Sequence, residues 1–202
     1  MLAFRLFRRQ DSPRVIGVAL LAALALRARQ GRPRRRDLIP VLAVVASQGL
    51  IEWVLHRCVL HQPPRTIAGR TFDLSAGHRR HHEDPDDVGP ILLGGREAAA
   101  DCAAIAALMA AVTGPFPAHR RTAVAAGLGG LGAYEWTHFL MHTGYRPRTR
   151  WYAARRTNHR LHHYRNENYW MGITSNLGDR LLGTLPADKG DVELSATART
   201  LS

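Results

Sequence analysis

The chain has 202 residues, and its 28 Lys and Arg residues against 16 Asp and Glu residues give a formal net charge of +12. Apolar residues make up 46% of the sequence, which excludes a disordered chain, and two cysteines are too few for a disulfide scaffold. Every basic residue except Lys189 is an arginine, and the arginines are interspersed with apolar stretches instead of forming one stripe. This placement argues against nucleic-acid binding and is typical of the loops of membrane proteins.

Four apolar stretches are predicted to be helices, at residues 15–26, 38–55, 98–112 and 122–141. Crossing a bilayer takes roughly 20 helical residues, so the first stretch is short for a transmembrane helix. It either spans the membrane, lies in the membrane interface or forms a re-entrant hairpin. A signal peptide is a minor alternative. Gly114, Pro115 and Pro117 predict a turn that makes a hairpin of the last two stretches. We therefore expect an all-α integral membrane bundle of about four apolar helices. It would form one domain over residues 1–186, followed by a polar, disordered tail over 187–202, with no β-structure.

Ten of the 11 histidines fall into four tight groups. Two groups have the spacing HxxHH and one has HxxxH, which places their imidazoles on one face of a helix. The first pair is five residues apart, so it needs a helix end or a π-bulge to converge. The ten residues are His56, His61, His78, His81, His82, His138, His142, His159, His162 and His163.

So many imidazoles in one place are costly unless a metal holds them, and ten exceed the four ligands of one structural zinc ion. We therefore predict two metal ions, bound by the ten grouped histidines and not by His119. Imidazole suits Zn, Cu, Fe and Ni, so the residue types alone leave the metal open. These histidines would form a His-rich cap on the apolar helices that holds a di-metal centre.

Two glutamates repeat the same relationship to the histidines. Glu52 precedes His56 by four positions, Glu135 precedes His138 by three, and an HxxHH block follows each at a similar distance. The two halves are therefore predicted to be pseudo-symmetric about the metal centre. Each glutamate could bridge the metals, but we favour a role in orienting a ligand.

The motifs "EWVLHRCVLH", "GHRRHH", "HFLMH" and "HRLHHYRNENYWMGITSNLGDRLLGT" occur in this order over residues 52–184. In these strings the chain resembles the membrane-bound fatty acid hydroxylase superfamily, which includes sterol desaturases and methyl oxidases. The last string is most similar to the fatty acid hydroxylase branch. The resemblance implies that all ten grouped histidines bind a di-iron centre at the cytosolic face, with zinc possible in the isolated protein. It further implies that O2 is activated there and that one oxygen atom enters a C–H bond of a membrane lipid, foremost a fatty acyl chain.

The resemblance also implies that Asn176 and Asp179 help to position the last histidine helix. With no fused cytochrome b5-like domain expected, electrons would come from a separate cytochrome b5-like or ferredoxin-like protein. Two alternatives stay open: a desaturase or a sterol or carotenoid oxidase with the same centre, and a non-enzymatic membrane metal-binding protein. The arginines favour a cytoplasmic membrane with the histidine cap facing the cytoplasm, although the six arginines at 27–36 conflict with this if the first helix spans.

Overall fold

The computed structural model describes residues 2–201, which are mainly helical. The helices are α1 (Leu2–Phe7), α2 (Asp11–Ala28), α3 (Leu38–Leu55), α4 (Ala76–Glu83), α5 (Gly95–Val112), α6 (Pro117–Met141), α7 (Arg150–Tyr164) and α8 (Leu177–Leu181). A π-helical turn (His56–Leu60) continues α3, and short 3₁₀ turns occupy Arg35–Asp37 and Lys189–Asp191.

All four predicted apolar helices are present, within α2, α3, α5 and α6. Helix α6 begins at Pro117, where the missing N–H group of proline costs no helical hydrogen bond. Among the residues that the structure describes, one helical segment, Arg35–Leu60, is long and apolar enough to cross a membrane. A bundle of four spanning helices therefore stays a prediction.

The expectation of an all-α chain is wrong at one place, between the π turn and α4. Strand β1 (Arg65–Ile67) pairs in antiparallel register with strand β2 (Arg70–Phe72). Ala68 and Gly69 have φ values of 50° and 76°, the left-handed conformations of a tight hairpin turn. Every residue of the two strands is exposed, so no alternation of apolar and polar residues marks them in the sequence.

The chain divides into two compact units, one of Met1–Ser47 and Leu92–Trp136, the other of Gln48–Ile91 and Thr137–Ser202. The first unit has a core of small and branched side chains from α2, α5 and α6: Ile16, Ala23, Ala98, Cys102, Ala125 and Leu128. A Cβ atom on Gly127 would lie 2.8 Å from Cγ2 of Ile105. Glycine at this position therefore lets α5 and α6 approach closely.

In the second unit, α8 packs against the end of α3. A Cβ atom on Gly178 would lie 2.6 Å from the carbonyl oxygen of Gly49 and 2.4 Å from Cβ of Trp53. The indole N–H of Trp53 also donates to the hydroxyl of Thr184 at 2.7 Å. The HxxHH helices α4 and α7 belong to this same unit.

The structure differs from the expectation of a disordered tail after residue 186. Val192 and Ala198 are each only 3% exposed, and residues 192–201 contact α4 and the loop after α7. The contacts are made mainly by backbone groups, which composition does not reveal.

Candidate metal centre

The first histidine pair converges through a π-helical turn. Helix α3 ends at Leu55, and the next five residues wind as a π-helix in which the N–H group of His61 donates to the carbonyl of His56 at 3.1 Å. This wider turn brings residues i and i+5 onto one side. The two imidazole centroids lie 4.8 Å apart, so the pair converges as predicted, through the second of the two predicted features, a helix end or a π-bulge.

The two HxxHH blocks lie on helices as predicted. Helix α4 carries the first block, and the last turns of α7 carry the second. Thr149 caps α7, because its side chain accepts a hydrogen bond from the N–H group of Tyr152. Both blocks lie on helices of the second unit, so regular helical backbone positions their side chains.

The ten grouped histidines form two clusters, and in each the potential ligand atoms all lie within 4.8 Å of one another. The first cluster contains His56, His61, His78, His82 and His162, and the second contains His81, His138, His142, His159 and His163. Among residues 2–201, no carboxylate belongs to either cluster.

The clusters exchange one histidine between the two HxxHH helices. In each HxxHH block, the first and last histidines belong to one cluster and the middle histidine belongs to the other. His81 of α4 therefore lies in the second cluster, and His162 of α7 lies in the first. This crossing has the same pattern in both halves. It agrees with the predicted pseudo-symmetry and links the halves more closely than the sequence indicated.

Within the clusters, ring nitrogens of the same kind point at each other. Nε2 of His159 lies 3.0 Å from Nε2 of His138, 2.7 Å from Nε2 of His142 and 3.0 Å from Nε2 of His163. In the first cluster, Nε2 of His56 lies 3.0 Å from Nε2 of His78. A neutral imidazole has one donor and one acceptor nitrogen, so these contacts cannot all be hydrogen bonds. Converging lone pairs of this kind are suited to a cation.

Backbone carbonyl groups hold the opposite nitrogens of several histidines. Nδ1–H of His56 donates to the carbonyl of Met171 at 2.7 Å, that of His82 to Ala198 at 2.7 Å, and that of His162 to Tyr169 at 2.8 Å. Each bond fixes the tautomer that leaves Nε2 free to bind a metal. The Nε2 atoms of His61, His82 and His162 are buried without a hydrogen-bond partner.

Burial keeps these histidines neutral. It lowers the pKa of His82 to about 3 and that of His142 to about 4, from an ordinary value of 6.5. It also lowers the pKa values of His159 and His163 well below 6.5, and the neighbouring imidazoles add to the effect. Neutral imidazole is the form that binds metals, so the donor set fits borderline transition metals such as iron and zinc.

Among the four polar residues predicted to support the ligands, Asp179 and Glu52 fasten the loop after α7. The carboxylate of Asp179 accepts hydrogen bonds from the N–H groups of Met171 and Gly172, each at 2.8 Å. Glu52 accepts from the N–H group of Thr174 at 2.9 Å and from its hydroxyl. Both acids therefore hold the segment whose Met171 carbonyl orients His56.

The other two predicted residues have different surroundings. Asn176 precedes α8, and its amide oxygen accepts a hydrogen bond from Asn158 of α7 at 3.3 Å. Glu135 lies in the first unit, where its carboxylate accepts from the hydroxyl of Ser12 at 2.5 Å and from the N–H group of Leu93 at 3.5 Å. The predicted equivalence of Glu52 and Glu135 is therefore not matched by their hydrogen bonds.

Sequence reasoning missed the backbone acceptors, because a carbonyl group leaves no mark on residue identity. Trp170 lies between two of them and has a φ of 57°, a left-handed conformation that is strained for a large side chain. The carbonyls on either side, of Tyr169 and Met171, both reach histidines of the first cluster. Trp170 itself is only 3% exposed.

Fold and site together define a mainly helical protein with a membrane-type helix and two buried histidine clusters suited to metal ions. The family model described as "Fatty acid hydroxylase" matches residues 41–184, and the chain belongs to this family. The matched residues include all ten grouped histidines.

Two curated relatives are the dihydroceramide fatty acyl 2-hydroxylases FAH1 and FAH2 of Arabidopsis thaliana. FAH1 is 28% identical over 156 residues, which cover 76% of this chain and 63% of the relative. FAH2 is 26% identical over 161 residues, which cover 77% of this chain and 66% of the relative. The chain thus spans just under two thirds of the length of these relatives.

Among solved structures, full-length Scs7p, of which only the hydroxylase domain is visible, has a similar fold. The TM-score is 0.71 at 23% sequence identity, over 91% of this chain and 68% of that one. At this level of identity the likeness concerns the fold.

Proposed function

We propose that the protein is a lipid hydroxylase that binds two metal ions, one in each histidine cluster. The observation that carries the proposal is the convergence of ten buried, neutral imidazoles into two clusters within a fatty acid hydroxylase sequence. Iron is the proposed functional metal, and zinc suits the same ligands. When bound, iron would supply the redox chemistry that activates O2 and inserts one oxygen atom into a C–H bond.

The chain's own contribution is to hold the ligands and to exclude water. His82, His159, His162 and His163 are fully buried, so bulk water does not reach their rings. The carbonyls of Met171, Tyr169 and Ala198 fix three of the tautomers, so the protein itself orients these ligands. Preorganised ligands of this kind keep the geometry of a site constant during reaction.

We propose a fatty acyl chain of a membrane lipid as the substrate, hydroxylated at its 2-position. The support is the family and the printed activity of the two Arabidopsis relatives, which are fatty acyl 2-hydroxylases of dihydroceramide. A desaturase or a sterol or carotenoid oxidase would use the same clusters, and product analysis separates these activities.

We propose that the protein lies in the cytoplasmic membrane with its histidine cap towards the cytoplasm. Large apolar side chains project outward from α2 and α3; Val18, Leu21, Leu42 and Val45 are each more than 60% exposed. Exposed apolar side chains on a helix that is long enough to span fit a lipid environment. The side can be tested by accessibility labelling of cysteines introduced at Arg32 and Arg70.

We propose that electrons come from a separate cytochrome b5-like or ferredoxin-like protein. A pocket of about 220 Å³ reaches His142 and His163 from the surface, and Arg156 and Arg160 line it. Two guanidinium groups beside the second cluster are suited to the carboxylates of an acidic redox protein. If so, Arg156→Glu with Arg160→Glu should slow reduction by the donor, and should do so less at high salt.

The function can be tested by mass spectrometry of total lipids from cells that express the wild type, His162→Ala or His119→Ala. His162 belongs to the first cluster, whereas His119 belongs to neither and serves as the matched control. We expect lipids with one added oxygen atom for the wild type and for His119→Ala, and none for His162→Ala. Fragmentation would place the oxygen within the acyl chain.

Other outcomes would change the assignment. A loss of two hydrogens would indicate a desaturase, and an oxidised sterol or carotenoid would indicate the corresponding oxidase. If the folded, metal-loaded wild type supplied with reductant changes no lipid, the protein has a metal-binding role without this chemistry.

A further inference from the structure

Residues 192–201, here called the closing segment, lie against the second unit's histidine helices. The N–H group of Ser195 donates to the carbonyl of Arg165 at 2.8 Å, and Nε of Arg165 donates to the carbonyl of Val192 at 2.7 Å. The hydroxyl of Thr197 donates to the carboxylate of Glu167 at 2.6 Å. These bonds fasten the segment to the turn that directly follows α7.

Two consecutive residues of the closing segment hold a single histidine, His82. The carbonyl of Ala198 accepts the hydrogen bond from Nδ1 of His82 at 2.7 Å. Nε of Arg199 donates to the backbone carbonyl of His82 at 2.7 Å, and a second nitrogen of Arg199 donates to the carbonyl of Glu83. The ring and the backbone of the same residue are therefore both fixed by the segment.

These contacts cap the C-terminal end of α4. The last carbonyls of a helix have no partner within the helix, and His82 and Glu83 are the final residues of α4. Arg199 supplies donors to both, with a positive charge at the end where the helix dipole favours one. Its guanidinium group also lies over the ring of Tyr164, 5.2 Å from the centroid, which ties it to the end of α7.

The orientation of His82 matters because its other nitrogen, Nε2, is buried without a partner among the ligand atoms of the first cluster. The bond to Ala198 keeps the proton on Nδ1 and aims Nε2 into the cluster. Ala198 is 3% exposed, so water does not compete for its carbonyl.

We propose that the closing segment is a positioning element for the metal site of the first cluster, with Ala198 and Arg199 acting through His82. The turn to which it is fastened leads into Tyr169, whose carbonyl orients His162 of the same cluster. The hydrogen bonds of Ala198 and Arg199 with a cluster histidine go to His82, a member of the first cluster. The inference uses the metal-binding part of the proposed function and is independent of the lipid chemistry.

The test measures zinc and cobalt(II) binding in two backgrounds of the purified full chain. His159→Ala with His163→Ala removes two ligands from the second cluster and keeps the first complete. His56→Ala with His78→Ala removes two ligands from the first cluster and keeps the second complete. Into each background we introduce Thr197→Val with Arg199→Ala. Leu194→Ala, at a 75% exposed residue of the same segment, is the matched control.

In the first-cluster background, the double change should weaken metal affinity by about tenfold or more and alter the cobalt(II) absorption spectrum. In the second-cluster background, it should leave both unchanged, as should Leu194→Ala in either background. Thr197→Ser with Arg199→Ala, which keeps the hydroxyl donor to Glu167, should lose less affinity than Thr197→Val with Arg199→Ala. Circular dichroism on the same samples shows whether the fold persists.

Unchanged affinity in the first-cluster background would overturn the proposal, and so would equal losses in the two backgrounds, which would mean a general loss of structure. A wild type that binds no metal would overturn it as well. If the expected metal loss occurs but the wild type modifies no lipid, the proposed hydroxylation fails while the positioning role of the closing segment stands.

Discussion

The Nδ1 atom of His56 lies 2.7 Å from the carbonyl oxygen of Met171, although the two residues are 115 positions apart in the chain. Met171 is in turn held by Asp179, whose carboxylate accepts its N–H hydrogen bond at 2.8 Å. Asp179, which belongs to neither histidine cluster, is therefore linked to His56 of the first cluster through one peptide unit.

Asp179→Ala is expected to lower both stability and metal affinity. The change leaves the N–H groups of Met171 and Gly172 without their acceptor, and each orphaned buried donor costs about 1–3 kcal/mol. The midpoint of thermal unfolding in detergent and the zinc affinity measure the two effects. Glu97→Ala, at an exposed acid of α5, is the control and should change neither. Wild-type zinc affinity in Asp179→Ala would contradict a role in orienting His56.

The crossed arrangement of the histidines predicts which pairs of substitutions damage the same site. His78→Ala with His162→Ala removes two ligands from the first cluster only, so about half of the bound metal should be lost. His159→Ala with His162→Ala removes one ligand from each cluster, so both sites should weaken. Metal per chain, measured by elemental mass spectrometry during titration with a chelator, distinguishes the two. The reverse result would mean that each HxxHH helix binds its own metal.

Gly178→Ala should be strongly destabilising. A Cβ atom there would lie 2.4 Å from Cβ of Trp53 and 2.6 Å from the carbonyl oxygen of Gly49, so α8 would have to move away from α3. Such overpacking costs about 1–3 kcal/mol. Gly77→Ala is the matched control, since a Cβ atom at Gly77 meets nothing within 4 Å and alanine favours the helix. Equal unfolding temperatures for the two variants would argue against the close packing of α8.

Acid should destabilise the metal-free protein through its buried histidines. Burial lowers the pKa of His82 to about 3 and that of His142 to about 4, whereas the unfolded chain has the ordinary value of 6.5. Between pH 6.5 and pH 4 the unfolded state therefore binds more protons, so stability falls as pH falls. Each histidine that protonates only on unfolding adds about 1.4 kcal/mol per pH unit to this dependence.

Unfolding by urea at pH 7, 6 and 5, with chelator present, measures this dependence. A midpoint that stays constant over this range would show that the histidines of the metal-free chain are solvated instead of buried.

The sequence was sufficient to predict the helices and the histidine groups, because both depend on local periodicity. The HxxHH spacing placed the imidazoles on one face of a helix, and the five-residue interval between His56 and His61 required a helix end or a π-bulge, of which the structure contains the π-bulge. Which histidine joins which cluster could not be predicted in this way. That choice depends on how α4 and α7 meet, as the exchange of His81 and His162 shows.

The remaining differences involve backbone groups. The hairpin at Arg65–Phe72 has exposed strands without a sequence pattern, and the closing segment is held mainly through carbonyl and N–H groups. Glu135 shows the limit of arguments from repetition, since its hydrogen bonds go to Ser12 and Leu93 and it has no equivalent of the Glu52 interaction with Thr174.

The π turn at His56–Leu60 accommodates a difference between the two histidine pairs: His56 and His61 are five residues apart, whereas His138 and His142 are four apart. A four-residue step on an α-helix and a five-residue step on a π-helix present equivalent pairs of imidazoles. On an α-helix, five residues would rotate the second imidazole by about 140° from the first, so His56 and His61 would not converge without the π turn. The π-helical winding therefore compensates for the one additional residue between the histidines of the first pair, and the winding of the backbone at this turn matters to the site as much as the ligands themselves.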